Sequence, residues 1–282
     1  MQHWSEVPEH VPGQIVSPAD ALAEYDREIK GLEDEKKRRG LNKIDSFFPT
    51  TGPFRRELYA RHMAFFRAGK YYRSRLFSAG NRVGKSTAGA YEMALHLCGD
   101  IYPDWWPGRR FTEPIQAWAC GTTNETTKNI VQAELLGRLD KDDSVSDGLI
   151  GMGTGMIPAS RIVGFETHSQ IRGAIKSVWV RHATGKRSLL QFKSFEQGSV
   201  AYEGSAQHVI WGDEEIPLDI YTECIMRLMT TSGIFYSTST PLRGLTDIVQ
   251  QFMPDGVIPD WQSCKICGKQ LMEIDHTCPL PM

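Results

Sequence analysis

A lysine followed by a serine, Lys85 and Ser86, ends a loop of small residues and has the types and spacing suited to phosphate chemistry. The stretch FSAGNRVGKST passes through Gly80 and Gly84 before reaching them. In phosphate-binding loops, glycines let backbone N–H groups point at the phosphates, the lysine reaches the terminal phosphates and the hydroxyl contacts Mg²⁺. The sequence therefore predicts an ATP-binding loop. Its predicted nucleotide-contacting residues are Gly80, Asn81, Gly84, Lys85, Ser86 and Thr87.

The loop departs from the usual pattern at one position. In the pattern G-x-x-x-x-G-K-[ST] the first glycine lies five residues before the second. Here Ala79 occupies that position and Gly80 follows it. Taken alone, the loop is also compatible with a flexible glycine turn that leads into a helix.

Two consecutive acids, Asp213 and Glu214, end an apolar segment in the stretch HVIWGDEEI. Phosphoryl transfer needs a carboxylate that holds Mg²⁺ and a second group that orients the attacking water. We expect Asp213 to hold Mg²⁺ together with Ser86, and Glu214 to polarise the water. An acidic turn that caps a strand is the alternative for this motif alone, but the two motifs together favour a hydrolytic site.

A run of hydroxyl residues ends another apolar segment in the stretch FYSTSTP. Such groups at the end of a strand could contact the γ-phosphate and change partners after hydrolysis. The alternative is a serine- and threonine-rich turn ended by Pro241. The predicted coupling residues are Ser237, Thr238, Ser239 and Thr240.

Strands and helices alternate along the chain and must position these motifs. The stretches PIQAWACG, KSVWVRHA, RSLLQFKSF, HVIWGDEE and GIFYSTSTP are predicted strands, and NETTKNIVQAELLGRL and IYTECIMRLMTT are predicted helices. This alternation is typical of an α/β protein with a mainly parallel central sheet flanked by helices. In such a sheet the functional site lies at the carboxyl ends of the strands.

Composition narrows the class of protein. The 282 residues carry a formal net charge of −2, so contact with nucleic acid requires local basic patches. No apolar run is long enough to span a membrane, and the amino terminus lacks a signal-peptide pattern, so a cytoplasmic protein is expected. One basic stretch could contact a polyanion or form a solvated surface; it contains Arg55, Arg56, Arg61, Arg67, Lys70, Arg73 and Arg75.

The ends of the chain differ from its centre. Residues 1–50 form a predicted N-terminal arm, whose charged helix is capped by Ser17 and stopped by Gly40. Residues 51–250 form the predicted ATPase domain, and residues 251–282 a small cysteine-rich tail. The tail spaces three thiols and an imidazole so that they could surround Zn²⁺, with reduced unligated cysteines as the alternative. The candidate zinc ligands are Cys264, Cys267, His276 and Cys278.

The three central motifs, in this order, resemble the ATPase domain of the large terminase subunit of tailed bacteriophages. The resemblance covers about residues 55 to 250. It implies a P-loop NTPase fold of the RecA/ASCE-like kind. By this resemblance Lys85 and Ser86 match the Walker A motif, and Asp213 and Glu214 the Walker B pair. It also places the coupling motif at Ser237 to Thr240 and an adenine-side motif around Tyr59 and His62.

The resemblance implies a function and a set of partners. Terminases of this kind use Mg²⁺-dependent ATP hydrolysis to move double-stranded DNA into a procapsid in the host cytoplasm. Expected partners are the DNA, further copies in a homo-oligomeric ring, the portal protein and the small terminase subunit. The stretch after Thr240 is too short for the nuclease domain that commonly follows, so we expect either a split or truncated subunit or one that works with a separately encoded nuclease.

One departure from the family concerns the loop. Many terminases carry an arginine four residues before the Walker lysine, where this chain has Asn81, and Arg82 lies one residue later. Arg82 is therefore the candidate for stabilising transition-state charge within the same chain.

Two alternative functions remain open at this point. One is a helicase-like P-loop ATPase of DNA repair or replication, which shares the loop and the acidic pair. The other is a regulatory terminase fragment that binds the nucleotide without hydrolysing it.

Overall fold

The computed structural model describes residues 18–141, 149–169, 171–241 and 246–252. The chain divides into two compact units, Met1–Gly40 and Leu41–Met282. The charged sequence forms helix α1, Pro18–Leu41, as its composition predicted, and all of its residues except Leu41 belong to the first unit. Leu22, Tyr25 and Ile29 on this helix are exposed. The predicted domain boundaries stay a prediction.

A seven-stranded sheet forms the centre of the second unit, and two further strands form a separate two-stranded sheet. The strands are β1 (Ser74–Ser78), β2 (Gln116–Gly121), β3 (Asp140–Lys141), β4 (Leu149–Ile150), β5 (Ile162–Thr167), β6 (Ile175–Arg181), β7 (Arg187–Ser194), β8 (Val209–Asp213) and β9 (Ile234–Ser239). The order in the large sheet is β1-β9-β8-β2-β7-β6-β5, and β3 pairs with β4.

The first five strands in this order are mutually parallel, which confirms the predicted mainly parallel sheet. Strands β6 and β5 extend it in antiparallel fashion. A short turn with Gly185 at φ 81° joins β6 to β7. Such a turn permits an antiparallel pair, whereas a parallel pair needs a much longer crossover. Strand β5 was not predicted from the sequence.

Helices cover both faces of the sheet. They are α2 (Ala60–Ala68), α3 (Lys85–Cys98), α4 (Asn124–Thr126), α5 (Ala133–Leu136), α6 (Leu218–Met229) and α7 (Asp247–Phe252). A π-helical stretch, Thr127–Gln132, joins α4 to α5, so the predicted helix after β2 exists but changes its winding midway. Short 3₁₀ turns occupy Lys43–Ser46, Arg56–Tyr59, Ala159–Arg161, Phe195–Gln197 and Ser199–Tyr202.

Alternating side chains of the central strands belong to two hydrophobic cores, one on each face of the sheet. Trp211 and Tyr236 belong to the core that contains α3, whereas Ile210 and Phe235 belong to the core that contains α6. Successive strand side chains point to opposite faces, so buried strands of this kind are apolar on both sides. No helix in the described part of the chain is both long enough and apolar enough to cross a membrane.

Candidate nucleotide-binding site

The three sequence motifs meet at one edge of the sheet. In the register of the parallel strands, Ser78 lies beside Ser239, and Asp213 lies beside Thr238. The loop leaves β1, the acids leave β8 and the hydroxyl run leaves β9, all at the carboxyl ends. This is the edge at which parallel α/β sheets place their ligands.

The loop from Ala79 to Gly84 turns the chain from β1 into α3. Gly84 adopts a left-handed conformation with φ 81°, which a glycine accepts without strain. The side chain of Lys85 curls back, and its Nζ donates to the carbonyl oxygen of Gly80 over 2.7 Å. Ala79 has no positive φ, so its position does not require the glycine of the usual pattern. The backbone thus forms a closed loop with its lysine directed inward.

The other loop residues differ in exposure. Asn81 and Arg82 are exposed, and Arg82 adopts a positive φ of 61°. Thr87 lies half-buried on α3, and its hydroxyl donates to Glu134 on α5 over 3.4 Å. Of the two hydroxyls after Lys85, the one on Thr87 is therefore engaged by a neighbouring helix.

An aromatic cluster packs beside the loop. His62 is buried, and its imidazole lies against the loop backbone at Val83 and Gly84. Burial lowers the pKa of His62, and interaction with these backbone groups offsets part of that effect. Tyr59 and Phe48 contact the same imidazole at ring-centroid distances of 5.5 and 5.8 Å. The two residues predicted for the adenine side thus lie together beside the loop.

Asp213 is a buried carboxylate, 3% exposed, surrounded by hydroxyl groups. Burial raises its pKa to about 6, although hydrogen bonds from Thr238 and Ser86 act in the opposite direction. Mg²⁺ prefers oxygen ligands, such as those of carboxylate and hydroxyl groups. The Asp213 carboxylate and the nearby Ser86 hydroxyl therefore suit a magnesium ion that also contacts phosphate oxygens.

Glu214 has an unusual backbone conformation. Its φ is 75°, a value that costs a non-glycine residue on the order of 1–3 kcal/mol and often occurs at functional sites. Three contacts to the hydroxyl run hold it in place. Its N–H donates to the carbonyl oxygen of Thr238 over 2.8 Å, its own carbonyl accepts from Ser237 Oγ over 3.1 Å, and its carboxylate accepts from the N–H of Thr240 over 3.3 Å.

The hydroxyls of the predicted coupling run have different partners. Ser237 contacts the backbone of Glu214, Thr238 donates to Asp213 over 2.6 Å, and Thr240 donates to Asn81 over 2.9 Å. Ser239 is also buried, and its carbonyl oxygen accepts the N–H of Ala79 over 3.2 Å. The end of β9 is therefore bonded both to the acids and to the loop.

Sequence patterns did not indicate the buried contacts of two residues on the strands that lead to this site. Arg75, placed in the basic surface stretch, is buried and donates to the buried Glu92 over 2.7 Å and to the carbonyl oxygen of Phe65 over 2.7 Å. Its position inside an apolar strand was the available signal, because a charged residue there must find a buried partner. The sequence indicated Trp211 only as an apolar strand residue, yet its indole N–H donates a hydrogen bond to Thr238 in the candidate site.

The cysteine-rich tail lies outside the described residues, so the zinc prediction at Cys264, Cys267, His276 and Cys278 stays a prediction. Within the described ranges, no cluster of three or more His, Cys, Asp or Glu side chains could hold a metal ion. The three cysteines described there are free and buried, as expected for core residues: Cys98, Cys120 and Cys224.

Comparison with known proteins identifies the family. A family model described as terminase large subunit, T4likevirus-type, N-terminal, matches residues 76–264. The chain is 32% identical over 261 residues to the large terminase subunit of Salmonella phage P22, which covers 87% of this chain and 48% of that protein. The chain thus spans about half the length of this curated relative.

A solved structure also aligns with the chain. It is the large terminase from the thermophilic bacteriophage D6E in complex with ADP, with a TM-score of 0.41 and 12% identity over 66% of this chain and 38% of that one. The family assignment rests on the family model, because this model matches more than half of the chain. The chain belongs to the terminase large subunit family, whose N-terminal region it matches.

Proposed function

We propose that this chain is the ATPase part of a viral DNA-packaging motor, which couples Mg²⁺-dependent ATP hydrolysis to the movement of double-stranded DNA into a procapsid. The observation that carries the proposal is the meeting of Lys85, Ser86, Asp213 and Glu214 at one sheet edge. Membership of the terminase family supports the DNA-packaging part of the proposal.

Substrate binding would use the closed loop. Lys85 would exchange the carbonyl oxygen of Gly80 for the terminal phosphates of ATP, because an ammonium group gains more from an anion than from a neutral carbonyl. The backbone N–H groups at the start of α3 would face the phosphates, with the positive end of the helix dipole behind them. Tyr59 and His62, beside the loop, would line the adenine side.

Ser86 and Asp213 would hold the magnesium ion. When bound, Mg²⁺ neutralises charge on the phosphate oxygens during phosphoryl transfer. Asp213 would bind the ion as a carboxylate: burial raises its pKa to about 6, and the bound cation would lower it again and favour the ionised form.

Glu214 would orient the attacking water and accept its proton. The carbonyl oxygen of Thr238 and the hydroxyl of Ser237 hold the backbone of this residue, and the N–H of Thr240 donates to its carboxylate, so the carboxylate keeps a defined position at the strand end. Arg82, exposed in the loop, would stabilise charge on the transferred phosphoryl group.

The hydroxyl run would report the state of the site. Thr240 contacts both the loop, through Asn81, and the Glu214 carboxylate. Loss of the γ-phosphate would change these contacts and move the end of β9. We extend the proposal to the partners expected of a terminase, namely a homo-oligomeric ring, the portal protein and the small terminase subunit.

Steady-state ATP hydrolysis with Mg²⁺, measured with and without double-stranded DNA, tests the function. We expect the wild type to hydrolyse ATP, Lys85→Ala to lose both binding and turnover, and Glu214→Gln to bind ATP without turnover. Lys186→Ala and Glu203→Gln, which make the same changes at exposed positions, serve as matched controls.

Each failure has a defined meaning. Tight ATP binding without hydrolysis by the wild type would favour the non-hydrolysing terminase fragment. Hydrolysis that survives in both Lys85→Ala and Glu214→Gln would show that another site performs the chemistry. Hydrolysis coupled to strand separation, with no translocation along intact duplex DNA, would favour the helicase-like alternative.

A further inference from the structure

A buried chain of two hydrogen bonds ends on the proposed magnesium carboxylate. Trp211 Nε1 donates to Thr238 Oγ1 over 2.8 Å, and Thr238 Oγ1 donates to Asp213 Oδ1 over 2.6 Å. Trp211 and Thr238 are 0% exposed, so water does not compete for either contact. These two hydrogen bonds connect neighbouring strands, from β8 to β9 and back to β8.

The chemistry of the three side chains determines which atom donates in each hydrogen bond. An indole N–H can only donate, so Thr238 Oγ1 must accept at this contact. The hydroxyl has a single proton, and the remaining partner, Asp213 Oδ1, is a carboxylate oxygen that accepts it. The hydroxyl of Thr238 therefore has one defined orientation instead of rotating among several.

Trp211 is itself held by the helix that begins at the nucleotide loop. A Cβ added to Gly89 on α3 would lie 2.5 Å from Trp211 Cε2, so the indole packs directly against the helix backbone. Tyr236 stacks on Trp211 at a centroid distance of 6.3 Å and an interplanar angle of 19°. The hydroxyl of Tyr236 donates to the carbonyl oxygen of Gly89 over 2.9 Å. The position of α3 thus determines where the indole N–H points.

We propose that Trp211 and Thr238 are positioning residues that orient the Asp213 carboxylate for Mg²⁺, an inference that rests on the proposed ATPase function. Trp211 orients the hydroxyl, and the hydroxyl limits rotation of the carboxylate. Groups that hydrogen-bond a metal-binding carboxylate set its orientation and contribute to metal affinity.

This assignment separates Thr238 from the other coupling residues. The hydroxyl of Thr238 donates its single proton to Asp213. Rotating this side chain toward a phosphate would leave the buried indole N–H of Trp211 without its acceptor. Thr240 is different, because it contacts the loop directly. We therefore assign Thr238 to metal positioning and leave Thr240 as the hydroxyl that contacts the nucleotide loop.

The test measures magnesium dependence of nucleotide binding, which does not require turnover. Binding of a fluorescent ATP analogue to the full chain is followed while Mg²⁺ is titrated, and binding without Mg²⁺ is measured separately. Thr238→Val keeps the shape of the side chain and removes the hydroxyl, whereas Thr238→Ser keeps the hydroxyl. Trp211→Phe removes the indole N–H while retaining an aromatic ring.

We expect Thr238→Val to raise the half-saturating Mg²⁺ concentration about tenfold, in line with losses seen when partners of metal-binding groups are removed. Trp211→Phe should shift it in the same direction by a smaller factor, and Thr238→Ser should stay close to the wild type. Binding without Mg²⁺ should change little in all three variants. Circular dichroism and thermal melting establish that each variant is folded.

An unchanged Mg²⁺ midpoint in folded Thr238→Val overturns the proposal, as does an equal loss in Thr238→Ser. If Thr238→Val does not fold, an unchanged midpoint in Trp211→Phe overturns it instead. The outcome is separable from that of the ATPase function. A wild type that hydrolyses ATP while these variants keep normal Mg²⁺ dependence refutes only the positioning role. A wild type without hydrolysis, whose variants show the expected shifts, refutes only the ATPase assignment.

Discussion

Thr240 Oγ1 donates a hydrogen bond of 2.9 Å to Asn81 Oδ1, although 159 positions separate the two residues in the sequence. The backbone N–H of the same threonine donates to the Glu214 carboxylate over 3.3 Å. One residue therefore bridges the Ala79–Gly84 loop and the acid proposed to activate water. The side-chain contact can be removed without touching the backbone contact.

Replacing Thr240 by valine should lower kcat for ATP hydrolysis about 3- to 10-fold, the effect of losing one hydrogen bond of about 1 kcal/mol. KM for ATP should change less, because the loop proposed to bind the phosphates keeps its own residues. Thr240→Ser retains the hydroxyl and is the matched control. Steady-state kinetics would contradict this expectation if KM rose while kcat stayed constant.

The buried ion pair between Arg75 and Glu92 makes a prediction about stability. Arg75→Leu should reduce the free energy of unfolding by about 3–5 kcal/mol, because it leaves the Glu92 carboxylate buried without its cation. The double variant Arg75→Leu/Glu92→Leu should recover much of that loss. Equilibrium urea unfolding measures both.

An exposed ion pair offers the control for this experiment. Arg55 and Glu57 lie 3.5 Å apart with side chains 44% and 73% exposed, so Arg55→Leu should change the free energy of unfolding by less than about 1 kcal/mol. Equal losses at the two sites, or a double variant at the buried site as unstable as the single one, would argue against the ion-pair explanation.

The buried histidines should make the free energy of unfolding depend on pH. Burial lowers the pKa of His96 below its ordinary value of 6.5, and burial likewise lowers the pKa of His62, His182 and His208. The unfolded chain therefore binds more protons than the folded chain as the pH falls through 6.5. The free energy of unfolding should decrease from there toward lower pH.

The Glu92 carboxylate adds to this trend at still lower pH. Burial alone would raise its pKa, but Arg75 and His96 together hold it below the ordinary value of 4.5. The contribution of Glu92 to the free energy of unfolding is present above that value and is lost as the pH falls through the pKa of the folded state.

Urea unfolding at a series of pH values from 8 to 5 measures the contribution of the histidines. A flat profile over that range would contradict the prediction.

Gly89→Ala should destabilise the protein by about 1–3 kcal/mol, because the new methyl group would overlap the Trp211 ring. Gly31→Ala is the control, since no atom lies within 4 Å of its added Cβ and alanine favours a helix. Differential scanning calorimetry should show a lower Tm only for Gly89→Ala. A wild-type Tm in that variant would mean that the helix and the indole separate easily.

The buried cysteines should resist alkylation in the native protein. Burial raises the pKa of Cys98 and Cys120 to about 12 and that of Cys224 well above its ordinary value, so the reactive thiolate is scarce. Iodoacetamide at pH 8 followed by mass spectrometry should modify none of the three until urea is added. Cys264, Cys267 and Cys278 provide the comparison. A chelator that increases their labelling would support zinc in the tail, and labelling independent of chelators would oppose it.

Local sequence was sufficient to predict the side chains that meet in the candidate site. Lys85 and Ser86 follow one another in a glycine-containing loop, and Asp213 and Glu214 follow an apolar strand, so a short window contains the whole signal. The alternation of strands and helices then predicted a parallel sheet with these motifs at its carboxyl edge. Both inferences use only chain spacing and side-chain type, which the sequence determines by itself.

Tertiary structure decided which side chains meet. Thr238 and Thr240 both lie in one hydroxyl run, but strand register places the first on Asp213 and the position of the loop places the second on Asn81. Arg75 and Glu92, and Trp211 and Gly89, also meet only when strands and α3 pack together. No residue type or spacing encodes these partners, because each contact depends on the packing of elements that are distant in the sequence.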